Sequence, residues 1–464
     1  MPTAKRNLRD INKELGVISF LVERPTLLIA GIIIAGTGFQ LLPIAVVRAG
    51  VVLALAAQVF LERRVGSNQF LTSPLFLLGG IALVFYSVIL GLFDTYYPGL
   101  PFHTIESFYG SDAERLLVVF GLCCLVVHSW IAGAASEPQK TSENWPSGTG
   151  TSIFIFLGVA LTVSLTNAVN YISPIFGGSE IRSVAAPLLA FCMMYLVYLS
   201  IAASGRQKLL IAGVILLTIA GLFYVHEGKK PIFMVAAAIL YWLRLKKVSG
   251  KMIIILGLIS IPVAAGLLQV AQMIRVPNSS VLASSEKSLL SIAIIVLRGK
   301  TILRQAETRY CLQSVVNKHW EQPFLASRQL FWLQGLIPRV LWPEKPSLSL
   351  GADYSPEYCG SNAKTVHSSS ITLLGQPVIQ GGGIGLLLHG GILIIALGGV
   401  AWLGRKPESL SAVTAVALLP WLIDFDQDFA LYVANAVKFF LVMLPLAFII
   451  VRMKARPRES PRHP

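Results

Sequence analysis

Long apolar runs alternate with short polar breaks along almost the whole chain. The runs fall at roughly 25–42, 44–61, 72–93, 115–135, 152–172, 183–203, 209–226, 231–243, 252–273, 378–402, 409–424 and 431–451. A helix needs about 20 mostly apolar residues to cross a bilayer core, so the pattern predicts about twelve transmembrane helices. The least distinct are the first two, divided only by Leu41–Pro43 and Arg48, and the short 231–243 run. One polar stretch, 274–377, breaks the rhythm. Leu289, Leu290, Ile294, Leu297 and Ile302 recur in it at helical spacing, alongside aromatics and prolines. The predicted class is an all-α polytopic membrane protein with one large extracytoplasmic loop containing amphipathic helices. Its expected parts are 1–273 with about nine spans, the loop 274–377, and 378–464 with about three spans and a basic cytoplasmic tail.

Composition sharpens this. Of 464 residues 55% are apolar and 13% charged, against roughly a quarter charged in soluble domains. The net charge is +15, which on a soluble surface would suggest nucleic acid. Here the basic residues sit between apolar runs, and no nucleic-acid partner is expected. With the N-terminus inside and spans alternating, the inner segments hold 21 basic and 8 acidic residues, and the outer ones 17 and 15. That asymmetry obeys the positive-inside rule and places both termini in the cytoplasm. Eleven of the 17 outer basic residues lie in 274–377. Met1–Arg24 lacks a cleavable signal pattern, so the first span is expected to stay. Cys123, Cys124 and Cys192 read as small hydrophobes in apolar runs. Cys311 and Cys359 lie in the polar stretch, and spacing alone leaves their pairing open. No Walker loop, C-x-x-C or H-E-x-x-H motif occurs, so no cofactor and no metal are expected.

Candidate chemistry gathers on the outer side. His226-Glu227-Gly228-Lys229-Lys230-Pro231 is a tight outer turn, with Pro231 suited to the first turn of a helix. Lys229 and Lys230 at a helix N-terminus suit a phosphate or pyrophosphate. The plainer reading is two lysines snorkelling to the interface. Arg275 directly follows the ninth run and suits either bidentate phosphate binding or interfacial anchoring. Arg298, Lys300, Arg304 and Arg309 recur along Ile292–Val316 and read as headgroup contacts of a membrane-surface helix. In Gly335 to Pro346, three prolines fix a rigid non-helical path that displays Arg339 and Lys345, or clamps Trp342 on the membrane part. His367 can serve as base or hydrogen-bond donor, or simply be exposed. Gly381-Gly382-Gly383-Ile384-Gly385 permits close backbone approach. His128, Asn167, Asn170, His389 and Lys438 interrupt spans. Lys438 has Asp424, Asp426 and Asp428 as nearby partners.

Ile337-Pro338-Arg339-Val340-Leu341-Trp342-Pro343-Glu344-Lys345-Pro346, then Ser369 to Gly375, then Gly382 and Gly385, resemble bacterial oligosaccharide repeat-unit polymerases, the Wzy-type O-antigen polymerases. The motif match covers about fifty residues; the topology match covers the chain. Gly228-Lys229-Lys230 stands where that family commonly has Gly-x-Arg, and Gln376 stands where it often has glutamate. The resemblance implies metal-independent glycosyl transfer at the outer face of the cytoplasmic membrane, in the cell envelope. The donor is a polyprenyl-pyrophosphate-linked glycan and the acceptor a second lipid-linked repeat unit. In that reading Lys229, Lys230 and Arg275 grip pyrophosphate, where basic groups stabilise the departing charge. Arg339 and Lys345 order the loop or hold the second glycan with Gln376. His367 is the first candidate base, with Glu227 competing. Membrane lipids, a chain-length regulator and a flippase are the other expected partners. An O-antigen ligase is a close variant. A non-enzymatic lipid-linked glycan transporter would place charges at mid-depth and show internal symmetry. In a structural membrane protein the basic loop would be a docking surface.

Overall fold

The computed structural model describes residues 25–38, 40–91, 112–134, 178–201, 203–225, 230–249, 252–253, 303–337, 342, 344, 350–360 and 370–455. These residues are helical with no strand among them. The helices are α1 (Pro25–Gly38), α2 (Ile44–Arg64), α3 (Pro74–Ile89), α4 (Asp112–Ala134), α5 (Gly178–Ser200), α6 (Gly205–Val225), α7 (Lys230–Leu245), α8 (Leu303–His319), α9 (Gly351–Tyr358), α10 (Thr372–Leu403), α11 (Leu410–Leu422) and α12 (Phe429–Ala455). Among the described residues, four stretches are long and apolar enough to cross a membrane: Ile44–Arg64, Asp112–Gly133, Thr372–Leu403 and Phe429–Val451. Pro74–Ile89, Ala186–Ser200 and Leu410–Leu422 are shorter apolar helices. The predicted span 152–172 and nearly all of 252–273 lie outside the described residues.

Packing sorts the chain into two units. The first comprises Met1–Glu137, Ile302–Leu325 and Gly351–Gly399. The second comprises Pro138–Thr301, Ala326–Leu350 and Val400–Pro464. The stretch expected to form one outer loop is therefore divided between them.

In the first unit, α1 to α4 enclose a core that includes Ala30, Ile33, Val51, Leu83, Val118 and Leu122. Helix α3 starts where Ser73 accepts a hydrogen bond from Phe76 N and Pro74 takes the first position, both favoured at a helix start. Its second half, Ile81–Ile89, winds as a π-helix. A Cβ on Gly79 of α3 would sit 2.9 Å from the Gly121 carbonyl of α4, so small residues let these helices approach closely.

Helix α10 begins at Thr372, six residues before the predicted span, and is broken by its glycines. Gly381 has φ −162° and ψ 22°, and Gly382 has φ 59° and ψ −151°. Gly383 N–H donates to Trp320 O at 3.0 Å. The expected close backbone approach at these glycines is made by the turn that follows α8.

In the second unit α5 packs against α6, α7, α11 and α12. Every residue from Leu189 to Leu199 is buried, which a helix apolar on all sides requires. The α10–α11 turn is held from α7. Arg244 donates to Gly404 O at 2.7 Å and Arg405 O at 2.8 Å, and Tyr241 OH donates to Pro407 O at 2.7 Å. An arginine on the last carbonyls of a helix satisfies groups that have no partner within it.

Candidate functional site

The main ionic cluster of the first unit joins four helices. Glu114, in the first turn of α4, is fully buried. Its carboxylate accepts both Arg48 Nε at 2.9 Å and Arg48 Nη2 at 3.0 Å. It also accepts Ser87 Oγ–H at 2.7 Å and Arg309 Nη1–H at 3.3 Å. Arg309 Nη1 donates further to Tyr86 O at 3.3 Å, within the π-helical stretch that also carries Ser87. Wide turns of this kind expose backbone carbonyls and recur at functional sites. A Cβ on Gly91 would overlap the Arg48 guanidinium, so glycine there leaves room for the fork.

The fork geometry follows from chemistry. A guanidinium offers two parallel N–H groups that match a carboxylate's two oxygens. Two arginines share this one carboxylate. Arg309 is 1% exposed, so the headgroup-contact reading does not extend to it. Arg309 instead fastens α8 to α3 and α4. Arg304, one turn earlier, is exposed. Gln313 of α8 adds a bond by accepting Ala113 N–H at 2.8 Å.

The far end of α8 is fixed to α9. Cys311 and Cys359 form a disulfide. His319 Nε2 and Tyr358 OH share a hydrogen bond at 3.0 Å, and Lys318 Nζ donates to Glu357 O at 2.9 Å. Burial first, and then the adjacent Glu357 carboxylate, push the Tyr358 phenol above its ordinary range, which keeps its proton in place. The disulfide closes a loop with a sequence separation of 48. Loop-closure entropy gives such a crosslink about 4 kcal/mol. Cys311→Ser and Cys359→Ser should each lower the thermal midpoint of the purified protein, and reductant should move only the parent. Equal midpoints for parent and variants would remove the crosslink's role.

A second buried cluster lies at the opposite end of α2. His128 Nε2–H donates to Glu62 Oε1 at 2.5 Å, and His128 Nδ1 lies 2.9 Å from Ser73 Oγ. Glu62 also accepts Gln58 Nε2–H at 2.9 Å and Phe70 N–H at 2.8 Å. These bonds tie the α2–α3 connection to α4. His389 Nδ1–H donates to Gly385 O of its own helix at 2.8 Å, so both span histidines have polar partners.

In the second unit, Lys230 forms an ion pair with Asp424 and donates to Pro420 O at 3.2 Å. Gln427 Nε2–H donates to the same Asp424 oxygen at 2.7 Å. Asp424, one of the aspartates suggested as partners of Lys438, thus pairs with Lys230 instead. Lys438 is exposed and makes no ion pair among the described residues. Asp428 accepts Leu350 N–H at 3.0 Å. Burial pushes its carboxyl up to about 6, against a lowering contribution from the Leu350 N–H.

Two of the sequence-predicted site residues are described, Lys230 partly buried and Gln376 buried. Lys230 is paired as above, and Gln376 is buried on α10. Gln376 follows an N-terminal turn in which Thr372 N–H donates to Ser370 Oγ at 3.0 Å and Leu374 N–H to Thr372 Oγ1 at 3.2 Å. Thr372 has φ 64°, a left-handed conformation costly for a β-branched residue. Glu227, Lys229, Arg275, Arg339, Lys345 and His367 lie outside the described residues.

No family model, curated protein or solved structure matches the chain.

The residues that sequence reading missed are Arg48 and Glu114. In the sequence Arg48 marks only the break between two apolar runs, and Glu114 lies in the polar stretch before the fourth run. The signal was present: each is a charge at the edge of a span, where ionisable groups are rare and usually paired.

Proposed function

We propose that this chain is a metal-independent membrane glycosyltransferase. It polymerises polyprenyl-pyrophosphate-linked oligosaccharide repeat units at the outer face of a bacterial cytoplasmic membrane. In this reading about twelve spans place both termini in the cytoplasm, and 274–377 is extracytoplasmic. The observation that carries the reading is the fastening of α8. Its buried Arg309 bonds Glu114, which also holds Arg48, and the charge pattern independently puts Glu114 and Arg48 at the outer ends of their spans. A basic segment anchored there can present cations to a lipid pyrophosphate without being free to drift. The Cys311–Cys359 disulfide supports the same side, since such bonds persist in oxidising compartments.

The ion pair with Asp424 offsets the charge of Lys230. The pyrophosphate grip is therefore assigned to Lys229 and Arg275, with His367 or Glu227 as base, Arg339 and Lys345 on the second glycan, and Gln376 supporting the start of α10. Lys229→Ala or Arg275→Ala should leave the protein inserted and folded but abolish glycan lengthening. The readout is the glycan profile of a deletion strain carrying each variant. Normal modal length in both variants would remove this site assignment. In the same assay, single-repeat products on deletion mark a polymerase. Long unattached lipid-linked chains mark an O-antigen ligase, and loss of outward lipid-linked units marks a transporter.

A further inference from the structure

We propose that residues 330–337 form a membrane-surface anchor that lies in the bilayer boundary beside the Phe429 end of α12. The short 3-10 helix Phe331–Leu336 repeats every three residues, so positions three apart eclipse one another. Leu330, Leu333 and Leu336 therefore form one stripe, and they are 57%, 38% and 37% exposed. Ile337 is 40% exposed beside them. The other side of the element is engaged: the Phe331 ring packs on Phe429 at 5.9 Å, and Gly335 is buried. Arg328 in the preceding turn is exposed.

Three leucines left to water on a segment this short lack any folding benefit, because burial of apolar area is what drives leucine inward. What covers them is indicated by α12. Phe429 is the first residue of that candidate span, and Val437, Leu441, Leu444 and Phe448 further along it form an exposed apolar face with the spacing of one helix side. In a bilayer that face meets acyl chains. The leucine stripe starts at the end of the same helix, so its occupant is continuous with the lipid already covering α12. An apolar face, a half-buried Trp332 and a nearby arginine are the features of an element lying in the interface rather than crossing it.

The test uses the full chain in phosphatidylethanolamine–phosphatidylglycerol vesicles, with Leu333→Cys in a Cys123→Ser background labelled with an environment-sensitive fluorophore. Leu336→Cys is the second position. Both sites are exposed, so labelling leaves the fold intact. The expected result is blue-shifted emission, quenched more by a spin label shallow in the acyl chain than by a deep one. Water-like emission quenched by aqueous iodide would overturn the proposal. Blue-shifted emission indifferent to lipid-borne quenchers would also overturn it, since protein, a second copy or another segment, would then cover the stripe.

Discussion

Glu114→Gln is expected to be the most damaging single change in the first unit. The substitution keeps the shape of the side chain and removes its charge. Arg48, Arg309 and Ser87 all donate to that carboxylate, so two guanidinium groups are left facing a neutral amide in a buried setting. Removing one partner of a buried ion pair costs about 3–5 kcal/mol, because the surviving charge stays desolvated. The pair's own net worth is much smaller, which yields a sharper expectation. Arg309→Met should cost distinctly less than Glu114→Gln, since the bidentate Arg48–Glu114 pair remains neutral without Arg309. Thermal unfolding of both variants in detergent reads the order. If Arg309→Met proves the worse, the cluster is a packing site for a long side chain and not an electrostatic one. The two changes also separate stability from function. Arg309→Met should loosen α8 and expose the 303–319 helix to proteolysis before the membrane part unfolds.

Gly382→Ala carries the second large effect. At φ 59° and ψ −151° the backbone is in a region that is essentially glycine-only, and holding another residue there costs of order 1–3 kcal/mol. An added Cβ would lie 2.6 Å from both Trp320 O and Gln322 O. Those atoms are backbone, fixed by the end of α8, and cannot rotate aside. Both penalties act together, so a loss of about 4 kcal/mol is expected, within the range reserved for named core defects. Gly390→Ala is the matched control. Nothing lies within 4 Å of a Cβ there, and alanine is the better helix former by about 1 kcal/mol. Unfolding midpoints should therefore move in opposite directions. Similar behaviour of the two variants would show that the break in α10 straightens at little cost.

Much of the helical framework was legible in the sequence, because a bilayer demands apolar length and a helix satisfies its own backbone. The described parts of the predicted runs are helical apart from residues at their ends. The start of α10 was misplaced because Thr372 to Gly382 is apolar enough to be helical, while the span was read only from where a continuous run began. The candidate site was legible as a set of outer charges. Their partners were not, since Arg48, Glu114 and Arg309 are separated by 66 and 195 residues from one another. No local pattern spans such gaps. Asp424 illustrates the same point. Sequence proximity favoured Lys438, 14 residues away, whereas the fold brought Lys230 across 194.

By itself the sequence determined that the chain is membrane-like and helical, and its charge asymmetry set the expected orientation. Those properties follow from transfer free energies that add residue by residue along the chain. It did not determine which apolar faces meet protein. The most apolar windows of all four candidate spans share a mean hydropathy of 2.2, yet 61% of that window is buried in Asp112–Gly133 and 22% in Phe429–Val451. Lipid and protein interior are equally apolar solvents for a leucine, so hydropathy cannot separate them. The choice rests on close fit, as at Gly79 against Gly121, and on a few buried polar groups whose partners only the folded chain supplies.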